Sequence, residues 1–262
     1  MKMLRRTLQI LTYILLIALV ASFFAKNMSV GLKSVSEETL VDPVQISSAD
    51  KTPIEFKTNG YNFEATPLYD YKLSGIVAHK MGYSLLENNG ADQTAPYDLC
   101  IVWGENVKNK IYLEKTITFG QDQRFCFISY TGNTPFYSNQ FSNNHLLIKD
   151  STDYQTEKSI NVGDEVEISG HLVNVRATKV GDSSKYFTWD SSTSREDTGN
   201  GACEVILVDS IKIKTRANPI PVLVYQISIY LLPTILVIRF IIFLFSLRRK
   251  RKKVVPINFT RT

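Results

Sequence analysis

Hydrophobic positions follow two different patterns along this chain. Residues 7–25 and 220–238 are apolar runs of 19 residues, and neither contains a charged side chain. Wound as an α-helix, such a run is about 28 Å long, close to the roughly 30 Å hydrocarbon core of a bilayer. Each predicts a membrane span. Between them the apolar positions recur every second residue, which is the mark of half-buried strands. Over 68–78, Tyr69, Tyr71, Leu73, Gly75 and Val77 share a face, while Asp70, Lys72 and Ser74 begin the other. Ile111, Leu113, Ile117 and Phe119 alternate in the same way over 111–119, and Val205, Leu207, Ile211 and Ile213 over 203–213. Further strands are expected at 97–103, 123–130 and 183–189, with one short helix near 151–160.

The layout that follows is a cytoplasmic tail (1–6), a first span (7–25), a Ser-rich linker (26–52) and a β-rich domain (53–219). A second span with an interfacial end (220–247) and a basic tail (248–262) complete it. The fold class expected is mostly β, with a barrel-like domain between two transmembrane α-helices. Dense Gly, Asn and Ser punctuation fits a barrel or sandwich whose loops carry the function. In VGDEVEISGHLVNV (162–175), Gly163-Asp164 makes a turn and Gly170 falls mid-strand, where a missing side chain permits a bend or bulge. That stretch resembles an early strand of an oligonucleotide/oligosaccharide-binding (OB) barrel.

Charge sharpens the topology. All 25 acidic residues lie within 26–219 against 19 Lys and Arg, so the middle is acidic while both tails are basic. Basic flanks stay cytoplasmic, which puts both termini inside and the central domain outside the cytoplasm. An acidic domain also excludes nucleic acid as its leading partner, because phosphate neutralisation needs clustered Lys and Arg. The first span has a rival reading as a cleaved signal peptide ending near Val20-Ala21-Ser22. Arg239, which interrupts the second apolar run, is expected to reach towards cytoplasmic headgroups rather than to meet a partner helix. The RRKRKK run reads as a stop-transfer signal.

DLCIVWGENV (98–107), SNNHLL (142–147) and SREDTGNGACEVILV (194–208) are together similar to a family of bacterial membrane-anchored proteins of unassigned function. The resemblance implies one integrated domain in a bacterial envelope, at the inner membrane. It carries over no catalytic residue.

Candidate chemistry concentrates in two polar stretches, both read as loops. Asn143, Asn144 and His145 stand in the first; Arg195, Asp197 and Glu204 stand in or beside the second. These side-chain types recognise sugars and anions through directional hydrogen bonds, and they equally tie loops to a barrel. Arg195 and Asp197 would form an ion pair in the second use. His79, His145, His171, Cys203 and Glu204 show no metal-ligand spacing, so neither metal nor cofactor is expected. A Cys203–His145 pair could act only if the fold joins them. Cys100 and Cys126 lie 26 residues apart in two strand patterns; a disulfide needs Cα atoms within about 7 Å, and free buried thiols are the alternative.

The function expected is therefore non-enzymatic: binding of a glycan or an envelope protein beside the bilayer. The runner-up is an envelope hydrolase or transferase acting on cell-wall or lipid-linked material.

Overall fold

The computed structural model describes residues 2–83, 95–122, 124–149, 151–197, 199 and 202–251. Expected features at Gly90, Asn200 and Gly201, and any short helix between 84 and 94, lie outside them. The protein is mostly β, with a long apolar helix at each end. It divides into two units, the terminal helices forming one and Asn27–Asn218 the other.

In the helical unit, α1 (Lys2–Ala25) and α2 (Pro219–Arg251) are each long and apolar enough to cross a bilayer. Little of either apolar surface is buried, which is unlike a core helix of a folded domain. The two pack side by side. Phe23 meets Tyr225 at one end (ring centroids 6.2 Å), and Arg239 Nη1 donates to Thr12 Oγ1 at 2.8 Å towards the other. The expectation for Arg239 is thereby corrected. A guanidinium in an apolar helix lowers its cost most by finding a fixed acceptor, and the neighbouring helix supplies one.

The β unit contains ten strands and two short α-helices among the described residues. In chain order these are β1 (Val44–Ser47), β2 (Ile54–Thr58), β3 (Tyr61–Gly82), β4 (Tyr97–Val102), the one-turn helix α3 (Glu105–Lys108), β5 (Ile117–Asp122) and β6 (Phe125–Tyr130). β7 (Phe141–Ile148), the helix α4 (Ser151–Ser159), β8 (Glu165–Lys179), β9 (Tyr186–Trp189) and β10 (Cys203–Thr215) follow. Five strands pair in a cycle: β3 with β4, β4 with β7, β7 with β10, β10 with β8, and β8 back to β3. Among the described ladders only β7 and β10 run parallel. β1 and β2 add to β3, β9 adds to β8, and β5–β6 is a separate hairpin.

One irregularity lets the longest strands serve two cores. Pro67 pairs with Val173 and Tyr69 with Leu172, so Leu68 is an extra residue on β3. A bulge of this kind reverses which side of the ladder each following residue faces. Val173, Val175 and Ala177 accordingly pack with Phe63, Ala65, Val205 and Leu207. Val166, Ile168 and Leu172 pack instead with Tyr71, Leu73, Leu99, Trp103, Leu146 and Ile206. A second irregularity is at Gly170, which opposes Val208 where the β8–β10 register shifts. A Cβ there would stand 2.1 Å from the Leu207 carbonyl oxygen, so only glycine fits.

Two expectations change. Residues 111–113 form a 3₁₀ turn after Lys110, whose φ of 55° turns the chain, and the strand begins only at Ile117. Local backbone reversal overrides the alternating pattern. The 26–52 segment is an ordered part of the β unit: Thr39 and Ser48 are buried, and Glu165 accepts from Ser36 N, Ser36 Oγ and Thr39 Oγ1 at 2.7–2.8 Å. A buried carboxylate needs such donors, and this arm brings them.

Candidate functional site

Neither polar stretch is simply a loop. Ser142–His145 lies within β7, a strand paired on both edges, and Glu204 is the second residue of β10. Because the segments pair in parallel, Asn143 stands opposite Cys203 and Asn144 opposite Glu204. Alternation then sends the polar side chains to both faces. Asp98, Cys100, Asn143, His145 and Cys203 share the outer face of the cycle; Asn144 and Glu204 share the inner face with Leu99, Leu146 and Ile206.

At the inner face, Asn144 Nδ2 donates to Leu99 O at 3.0 Å and to Ser142 Oγ at 2.8 Å. Arg195 comes from the 190–202 connection and lies over Tyr71 and Trp103, 5.6 and 5.4 Å from their ring centroids. It donates to Tyr71 OH at 3.3 Å and to Gln45 Oε1 at 3.0 Å. The ion pair expected between Arg195 and Asp197 is absent: Asp197 Oδ2 accepts from Ser192 Oγ, which holds its own loop. Stacking on two rings gives the guanidinium more than an exposed carboxylate would.

Glu204 is buried beneath this arm. Its Oε2 has no hydrogen-bond partner among the described residues. Burial raises its carboxyl pKa to about 8, although the nearby Arg195 charge pulls the other way. Near neutral pH the group is therefore largely a protonated donor.

At the outer face, Asp98 is fully buried at the centre of a network. Arg124 Nη1 lies 3.1 Å from its Oδ1, His145 Nδ1 2.9 Å from the same oxygen, and Tyr83 OH donates to Oδ2 at 2.6 Å. Gln121 Nε2 adds a donor at 3.2 Å. Trp189 stacks on His145, 5.7 Å between centroids. Burial disfavours the imidazolium, but the neighbouring Asp98 carboxylate and Cys203 side chain outweigh it and raise the His145 pKa to about 9. Cys100 and Cys126 form a disulfide with Cα atoms 5.9 Å apart, while Cys203 is a free, buried thiol.

The two faces meet at a cleft of about 250 Å³ over the N-terminal ends of β7 and β10. Ser142, Asn143, Arg195, Asp197, Cys203 and Glu204 are among its lining residues, and Cys126 reaches it from the β5–β6 hairpin. Comparison with protein-family models, with curated proteins and with solved structures finds no match. The site is thus read from its own geometry. Of the residues expected from sequence, Asn143, Arg195, Asp197 and Glu204 line the cleft; Asn144 lies beside Glu204, and His145 belongs to the outer network. His171 stands apart on β8 between Asp70 and Asp209.

Sequence reasoning missed Asp98, Arg124, Tyr83 and Gln121. Only Asp98 carried a signal, as an acid in the otherwise apolar strand Tyr97–Val102.

Proposed function

We propose that this chain is a two-span protein of a bacterial inner membrane, with both termini cytoplasmic and an OB-type barrel held outside. The barrel binds an anionic envelope glycan in the cleft above β7 and β10. The five-strand pairing cycle supports the barrel reading: numbered by chain order, its strands run 1-2-3-5-4 and back to 1. OB barrels bind oligosaccharides and oligonucleotides against their second and third strands and the loop joining the fourth to the fifth. Here the third ring strand is β7, and the 190–202 connection between the fourth and fifth contributes Arg195.

The observation that carries the binding reading is Glu204. A buried carboxyl oxygen without a partner is costly unless something completes it, and this one borders an open cleft beside a guanidinium. A protonated carboxyl donor, an Arg and the Asn143 and Ser142 side chains together suit an oxygen-rich ligand with an acidic group.

The test is thermal unfolding of the full chain in detergent with acidic and neutral oligosaccharides. An acidic one at a hundred times its Kd should stabilise the wild type by about 2.7 kcal/mol and leave Arg195→Ala unmoved. No shift with any acidic oligosaccharide, or the same shift in Arg195→Ala, refutes the reading.

A further inference from the structure

Two sulfur species lie side by side on the outer face of β4, β7 and β10. Asn143 stands between them, paired with Cys100 on one edge and with Cys203 on the other. Its side-chain amide touches both: Nδ2 donates to Cys203 Sγ at 3.1 Å, and Oδ1 lies 3.0 Å from Cys126 Sγ in the disulfide. Cys126 and Cys203 both border the cleft, whereas Cys100 is fully buried.

His145 is two residues along β7 on the same face. Standing opposite Val205, it is the diagonal neighbour of Cys203 across the β7–β10 ladder, and its Nδ1 lies 2.9 Å from Asp98 Oδ1. A thiol beside an imidazole, with the imidazole oriented by a carboxylate, is the arrangement that activates sulfur as a nucleophile. A cysteine that serves packing alone needs neither an oriented imidazole nor a disulfide at the same amide.

We propose that Cys203 is the attacking thiol of a three-sulfur exchange site. Cys203 gives its proton to solvent beside the His145 imidazolium, whose positive charge favours the thiolate, and the thiolate attacks Cys126 Sγ. The Cys126–Cys203 bond forms as the Cys100–Cys126 bond breaks. Cys100 leaves as a thiolate and takes up a proton. One disulfide and one thiol stand on each side, so no outside oxidant or reductant is required. Because Cys126 borders the cleft, a thiol entering there would meet the same sulfur. The exchange is independent of glycan binding, and neither depends on the other's success.

The test uses the full chain in detergent. Wild-type protein is held near pH 8, quenched with acid and N-ethylmaleimide, digested, and its linked peptides identified by mass spectrometry. Cys126–Cys203 is expected beside Cys100–Cys126. Cys100→Ser treated with oxidised glutathione should close Cys126–Cys203 with release of two reduced glutathiones. In His145→Gln, which removes that charge, closure should slow by about tenfold near pH 8, and the deficit should shrink at higher pH as the thiolate forms unaided. A Cys100→Ser protein that keeps both thiols free, or ends as two glutathione adducts with no internal bond, overturns the proposal. So does an unchanged rate in His145→Gln.

Discussion

Asn144 and Glu204 face each other across the parallel β7–β10 ladder, and each keeps one buried oxygen without a partner among the described residues. For Glu204 the consequence is a pH dependence with a definite sign. Its folded pKa, about 8, lies above the ordinary carboxylate value. Between the two values the folded state holds a proton that the unfolded chain releases, so stability falls as pH rises through that window. One group contributes at most about 1.4 kcal/mol per pH unit. His145 acts in the same direction, its contribution being lost as pH rises through about 9. Thermal unfolding from about pH 5 to about pH 9 should show a falling Tm. Glu204→Gln should flatten the part below about pH 8 and raise Tm at the alkaline end. Parallel curves for the two proteins would count against a neutral, buried Glu204.

Gly170 tests the close approach of β8 to β10. Gly170→Ala places a methyl against the Leu207 carbonyl, and overpacking of this kind costs about 1–3 kcal/mol. Urea denaturation should show a lower midpoint with an unchanged slope. A neutral result would mean that the strands separate freely at the bulge.

The arm before β1 should be held by Glu165. Thr39→Val keeps the shape but removes one donor to that carboxylate, with Ser36 and Thr215 left to satisfy it. A loss of about 1–2 kcal/mol is expected, with faster amide exchange over residues 34–42. Exchange unchanged in that segment would show that the arm is anchored elsewhere, for instance through the Trp103 Nε1–Asp42 bond of 3.1 Å.

The proposed topology rests on ten basic residues in the two tails. A reporter inserted near residue 150 should be active only as an extracytoplasmic fusion, and reporters at either terminus only as cytoplasmic ones. The reverse pattern would overturn the orientation.

What the sequence determined by itself is whatever depends on neighbours along the chain. The two apolar runs became helices because a helix satisfies the backbone of an uninterrupted apolar stretch from within that stretch. Alternation located the middle of β3 and the whole of β10 because a half-buried strand must alternate. It failed at 111–113, where a single left-handed residue turns the backbone whatever the pattern. Tertiary structure alone decided the site. A parallel pairing set Asn143 against Cys203 and Asn144 against Glu204, residues about 60 positions apart that no local rule relates. The same pairing gave Arg239, by contrast, no part; its partner is Thr12 on the other terminal helix. Asp98 could be noticed in sequence, but its four partners arrive from β7, the β5–β6 hairpin and the end of β3. Burial and proximity are properties of the packed chain, and it is these that turn an ordinary glutamate into a neutral donor and place an ordinary histidine beside a thiol.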